Sequence, residues 1–137
     1  MKEILAMFGS LDPQEQRQVY MEMRTLMGEQ RQMRSENIMR LMQSYMDRIL
    51  AIMGLEFYSS TSRDRKFVTA RIIIANILLM MGYTEHQVGE VMKKDHSTIH
   101  IYKARLDAWI RYPRVYKEEM NYYEKVLKEY ETNKSTI

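Results

Sequence analysis

The chain has 137 residues, a net charge of +3 and no cysteine. This length can bury a core of its own, and a cysteine-free chain has no disulfides, thiolate metal sites or cysteine nucleophile. Five glycines and two prolines leave little material for hairpin turns, so the composition favours helices.

The basic excess lies in the middle of the chain. Residues 59–111 hold nine basic and five acidic side chains, a net +4, whereas residues 1–58 sum to −1 and residues 112–137 to zero. Ten of the fourteen methionines, in contrast, lie within the first 53 residues. A local basic excess is typical of a nucleic-acid-binding surface, and it is equally compatible with a solvated face that has no partner.

Three helices are predicted in the first part of the chain. A short, weak helix spans residues 2–9. A second begins at Asp12-Pro13, which suits an N-cap followed by a first helical residue, and ends at Gly28. A third spans residues 35–53, where apolar residues recur at helical spacing over an arc wide enough for packing on two sides.

Four further helices are predicted after a loop. Residues 66–81 are almost entirely apolar, which is typical of a buried central helix. A capping box at Thr84–Gln87 begins a short helix over 85–92, and a helix over 96–111 follows a three-residue turn. The last helix spans 113–131, and residues 132–137 are expected to fray.

The pair of helices joined by a short turn has the pattern of a helix-turn-helix. In the second helix, Ile99, Tyr102 and Leu106 share one face, which we expect to meet a core. A recognition helix reads base edges with its first residues, and the small polar groups at this start suit that role: Asp95, His96, Ser97 and Thr98. The lysines that we expect to hold phosphates are Lys93, Lys94 and Lys103.

This region resembles the C-terminal DNA-binding domain, domain IV, of the bacterial replication initiator DnaA. The segment KKDHSTIHIYKARL is similar to the signature that opens the family's recognition helix, and RDRKFVTARIIIANILLMMGYTEHQVGEVM is similar to its basic loop and preceding helices. The resemblance covers roughly residues 35–130. It implies an all-α, Trp-repressor-like helix-turn-helix bundle, here with an N-terminal helical extension.

The resemblance also implies roles for individual residues. Asp95, His96, Ser97 and Thr98 occupy the family's major-groove positions. The basic loop that reaches the adjacent minor groove and backbone corresponds to Arg63, Arg65 and Lys66, and the arginine that opens the long helix, a phosphate contact, corresponds to Arg71. Two departures alter the expected target sequence: Lys93-Lys94 replaces a Gly-Arg pair, and Ile101 stands where the family has histidine.

We therefore expect three parts: a helical extension over 1–34, a helix-turn-helix domain over 35–131 and a frayed tail over 132–137. The expected function is sequence-preferring binding of double-stranded DNA by a cytoplasmic, nucleoid-associated bacterial protein without a targeting or membrane segment. The sequence has no GxxxxGK[ST] loop for an ATPase, which suggests a replication accessory, a regulator or a mobile-element protein.

Other functions fit the sequence less well than DNA binding does. The main alternative is a helical protein-interaction or dimerisation module, in which the Met-rich N-terminal helices bind a second copy or another protein and the DNA-binding motif is degenerate. His96 and His100 stand four residues apart as metal ligands could, but no third ligand is evident. No catalytic set or cofactor loop emerges, so an enzyme, a metal and a cofactor are not expected.

Overall fold

The computed structural model describes the backbone of residues 12–135 and the side chains of that range apart from residues 30, 31 and 131–135. The described chain forms five helices without any strand, which confirms the all-α prediction. They are α1 (Pro13–Ile52), α2 (Arg65–Met80), α3 (Glu85–Met92), α4 (His96–Arg111) and α5 (Lys117–Ser135). None of the described helices is long and apolar enough to cross a membrane. The helix predicted over residues 2–9 lies outside the described residues.

α1 is one continuous helix, so the predicted break at Gly28 is wrong. Its start agrees with the sequence, because the Glu15 amide donates to Asp12 Oδ1 at 2.8 Å. Gly28 lacks the positive φ that ends helices at glycine, which here belongs to Gly54 and Gly82. A glycine inside a helix costs only about 1 kcal/mol relative to alanine, and no proline follows to stop propagation.

The chain divides into two compact units, Met1–Ile38 and Met39–Ile137. The division falls within α1, four residues after the domain boundary placed from the sequence. In the described part of the first unit, α1 is a helix whose large apolar side chains are mostly exposed; they include Tyr20, Met23, Leu26, Met27 and Met33.

The second unit is built around α2, as its apolar sequence predicts. All ten residues from Thr69 to Leu78 are buried. α2 packs against α3, α4 and α5, and α4 also packs against α3 and α5. The core gains further buried side chains from the end of α1, among them Met42, Ile49 and Met53. This packing places both α3 and α4 against α2.

α5 is displaced along the sequence relative to the prediction. Residues 113–116 form a turn, in which the Val115 and Tyr116 amides donate to the Tyr112 carbonyl, and the helix begins only at Lys117. It continues to Ser135, so residues expected to fray are helical to that point. No glycine or proline lies between Lys117 and Ser135, and an established helix propagates through such a segment.

Candidate nucleic-acid interface

A tight turn links α3 and α4, as the sequence predicts. Lys93 adopts the left-handed conformation, with φ 58° and ψ 45°. Its amide donates to the Glu90 carbonyl at 3.3 Å, and the Lys94 amide donates to the Gly89 carbonyl at 2.8 Å. These two bonds form a Schellman motif, which satisfies the last carbonyls of α3 and reverses the chain within three residues.

Gly89 provides the space that this turn occupies. A Cβ atom at position 89 would lie 2.5 Å from the Lys94 carbonyl oxygen and 3.5 Å from the His96 amide nitrogen. The first distance is shorter than any ordinary contact, so a larger residue would push the turn away from α3. The glycine therefore sets how closely the start of α4 approaches α3.

The angle of α4 is fixed by apolar and polar contacts with α2. Ile99, Tyr102 and Leu106 are buried, as their helical spacing predicts. The Asn76 side-chain amide donates to the Tyr102 carbonyl at 3.1 Å and to the Ile72 carbonyl at 2.8 Å. Because a buried polar group must be paired, this bridge joins α2 to α4 in one register.

The first residues of α4 are accessible, with Asp95, His96 and Ser97 exposed and Thr98 partly so. Asp95 occupies the N-cap position, yet its carboxylate makes no capping hydrogen bond. Its backbone carbonyl accepts instead from the Thr98 and Ile99 amides. The Asp95 carboxylate is thus open to a ligand, such as the N4 amino group of cytosine.

The His96 ring packs against the ring of His86, a residue for which the sequence predicts no role. The rings of His86, on α3, and His96, on α4, lie 4.8 Å apart between centroids and are tilted by 39°. This contact limits where the His96 ring can point. Periodicity within one helix carries no signal for a contact between two helices, so it was not predictable from the sequence.

Glu85 offsets part of the positive charge on this surface. Its carboxylate Oε1 lies 3.7 Å from His100 Nδ1 and 3.9 Å from Lys103 Nζ. The side chains of both partners are more than half exposed, so these are weak, solvent-screened contacts. Lys103 is therefore accessible to a phosphate, although a carboxylate competes for it, whereas Lys93 is exposed and Lys94 partly exposed.

The exposed face of α4 also includes apolar side chains that were not among the predicted contact residues. Ile101 is 53% exposed, and Ala104 is exposed one turn further along. Both lie opposite the buried stripe, a position that helical spacing alone could have identified. Small apolar groups in a major groove contact the methyl group of thymine.

The basic loop residues differ in how freely they can bind. Arg63 is exposed and has no ion-pair partner among the described residues. Arg65 binds Glu119 of α5, with Nη2 and Nε at 2.7 and 2.9 Å from the same Oε1 atom. Lys66 Nζ lies 5.8 Å from the centroid of the Tyr122 ring. Arg63 is thus the residue of this group most available to DNA.

The structure changes the predicted role of Arg71 as a phosphate contact. Its side chain is buried, and Nη1 and Nη2 donate to the carbonyls of Ser59 and Ser62 at 2.9 and 2.7 Å. Nε also points to the Tyr102 hydroxyl, at 3.3 Å. The forked guanidinium is occupied by the protein itself, so Arg71 holds the loop against α2 and α4 instead of facing solvent.

Tyr58 provides a second anchor for the same loop. Its hydroxyl donates to the Met92 carbonyl, at the end of α3, at 2.6 Å. Burial raises the pKa of this hydroxyl above its ordinary value of 10.0, with a further increase from Tyr102 and a smaller opposing effect of Arg71. The basic loop is therefore tied both to the helix-turn-helix and to the core.

The assembled surface combines a polar helix start, neighbouring lysines and a fixed basic loop. Such a set suits an anionic polymer with hydrogen-bonding edges more than a small substrate. Among the side chains that the structure describes, no three of His, Asp or Glu are grouped so that they could hold a metal ion.

Comparison of the chain with protein-family models, with curated proteins and with solved structures found no match.

Proposed function

We propose that this protein binds double-stranded DNA through the helix-turn-helix formed by α3, the turn at 93–95 and α4. In this proposal α4 enters the major groove, and its first residues contact base edges. The observation that supports this most is the start of α4, where exposed polar side chains lie beside the lysines of the turn, on a helix whose opposite face is buried.

The role of each residue in binding DNA follows from the chemistry of its side chain. Lys93, Lys94 and Lys103 neutralise phosphates and position the helix. Asp95, His96 and Ser97 provide hydrogen bonds to base edges, and Ile101 meets thymine methyl groups. Arg63 extends the contact from the anchored loop toward the adjacent groove or backbone.

The same arrangement supports a DnaA domain IV-like mode of binding. The resemblance of the recognition segment and the basic loop motivates this part of the proposal, together with the anchoring of that loop by Arg71 and Tyr58. A protein that uses such a module would serve as a replication accessory protein, a regulator or a mobile-element protein.

A fluorescence anisotropy titration with a duplex of about 20 base pairs tests the proposal. Combining Lys94→Gln with Lys103→Gln should weaken binding and reduce the steepness of its salt dependence by about two phosphate contacts. Combining Arg17→Gln with Arg24→Gln, which removes two exposed charges from the first unit, is the matched control and should have little effect. Absence of binding to any duplex at about 50 mM salt would overturn the proposal.

Glu85→Gln provides a test in the opposite direction. It removes the carboxylate beside His100 and Lys103, so it should strengthen binding about two- to fivefold at low salt. A reduction in affinity with unchanged folding would contradict the placement of DNA on this face.

The second candidate function, a protein-interaction module, is favoured by the exposed apolar residues of α1. A stable assembly that binds no duplex would support the interaction module over DNA binding. The two functions are compatible, because many helix-turn-helix proteins bind DNA as dimers.

A further inference from the structure

The first part of α1 carries a seven-residue repeat. Glutamates recur at this spacing: Glu15, Glu22, Glu29 and Glu36. A second series with the same spacing is apolar, and consists of Val19, Leu26 and Met33. A seven-residue period with a regular apolar member is typical of a coiled coil.

The heptad positions follow from these two series. With Val19, Leu26 and Met33 at d, the glutamates occupy g. Of the a positions, which are Gln16, Met23 and Gln30, only Met23 is apolar, so the d residues form most of the seam. Tyr20 and Met27 occupy e and widen the apolar row. Met21, by contrast, lies on the outer face at f.

This apolar row is uncovered in the single chain. Tyr20, Leu26 and Met33 are each about 60% exposed, and Met23 and Met27 about half exposed. A helix gains most of its stability in water by packing such a face, and clustered exposed apolar side chains mark an interaction surface. We therefore expect this apolar row to pack against a partner helix.

The repeat ends with the first unit. The d positions, which are apolar through Met33, become charged at Arg40 and Asp47, and the a positions there are the polar Asn37 and Ser44. Beyond Ile38 the buried side chains of α1 belong to other heptad positions, as at Met42 and Met46, and serve the core of the second unit. Asn37, at an a position, is the type of residue that specifies register in two-stranded coiled coils.

The charges along the helix favour a second copy of this chain as the partner and a parallel orientation of the two helices. In a parallel pair, each g position faces the e position five residues along the other helix, which places Glu29 opposite Arg34 of a second copy. In an antiparallel pair, g faces g, so the glutamates of one chain would repel those of the other. A second copy of this chain in parallel orientation is thus complementary.

We propose that two copies of this protein associate through residues 15–38 of α1 as a parallel, two-stranded coiled coil. The association does not depend on DNA. It gives each assembly two helix-turn-helix units and so suits a DNA site with two half-sites.

Sedimentation equilibrium of the full chain without DNA tests the association. The expected mass is twice the chain mass of 16.6 kDa. Met23→Glu should weaken dimerisation at least about tenfold, because it places two charges in the apolar seam. Met21→Glu makes the same change two residues away on the outer face and should leave the dimer intact. A monomer at every concentration, or equal effects of the two variants, would overturn the proposal.

Disulfide cross-linking tests the orientation of the two helices. Because the chain has no cysteine of its own, only the introduced residue can form a disulfide. In a parallel, in-register pair, Val19→Cys and Met33→Cys should each form cross-linked dimers alone under mild oxidation. Met21→Cys should not. Cross-linking only in a mixture of the two seam variants would indicate an antiparallel pair and refute the parallel arrangement.

Discussion

Gly89→Ala should destabilise the second unit and misplace the start of α4. Gly89 lies inside α3 and does not have a positive φ, so its backbone conformation alone would favour alanine. The added Cβ, however, would lie 2.5 Å from the Lys94 carbonyl oxygen, and backbone atoms cannot move aside as the end of a flexible side chain can.

The net effect follows from two opposing contributions. Alanine gains about 1 kcal/mol of helix propensity over glycine. Overpacking costs about 1–3 kcal/mol, and weakening the 2.8 Å hydrogen bond from the Lys94 amide to the Gly89 carbonyl costs about 1 kcal/mol more. The expected result is a loss of about 1–3 kcal/mol in the free energy of unfolding, or about 10 °C in melting temperature.

Thermal unfolding followed by circular dichroism measures this loss, and Gly28→Ala is the matched control. Position 28 is also inside a helix, but nothing lies within 4 Å of an added Cβ, so this substitution should increase helix stability by up to about 1 kcal/mol. If Gly89→Ala raised the melting temperature as Gly28→Ala should, the close approach of the turn to α3 would not exist.

Three further predictions concern the turn before α4 and the anchored loop. Lys93→Gly should stabilise the fold by about 0.5–1 kcal/mol in urea unfolding, because glycine adopts a positive φ without strain, while it weakens DNA binding through the lost charge. Arg71→Lys should lower the free energy of unfolding by about 2 kcal/mol, because an ammonium group cannot make the forked contacts. An unchanged free energy of unfolding would contradict the buried, loop-anchoring role of Arg71. Tyr58→Phe should cost about 1 kcal/mol at neutral pH. Since the pKa of Tyr58 is raised by folding, its contribution is complete below pH 10.0 and is lost as pH rises toward the folded-state pKa, so the variant should lose less stability in alkaline unfolding measurements.

Local signals in the sequence predicted the core of the fold well. The helix starts at Asp12 and Thr84 follow from capping side chains, and the structure contains the hydrogen bonds that those residues predict. The bounds of α3 and α4 match the prediction, and those of α2 differ by one residue. Gly28 is the counterexample, because a single weak helix former does not stop a helix between favourable neighbours.

The environment of individual site residues was less predictable, because it depends on contacts across the chain. Arg71 and the two loop carbonyls that it binds belong to different elements, and sequence spacing does not indicate that they meet. The His86–His96 contact has the same origin. A motif thus indicates which side chains belong to a surface, whereas packing determines which of them face a ligand.

Selection of bound duplexes from a random pool, followed by titration of the enriched site and a scrambled site, tests most directly whether the start of α4 reads DNA. If α4 reads base edges, an enriched site is expected, and His96→Ala should reduce the ratio of the two affinities by about tenfold while binding to the scrambled site changes little. An unchanged ratio, or a pool without an enriched site, would contradict the account.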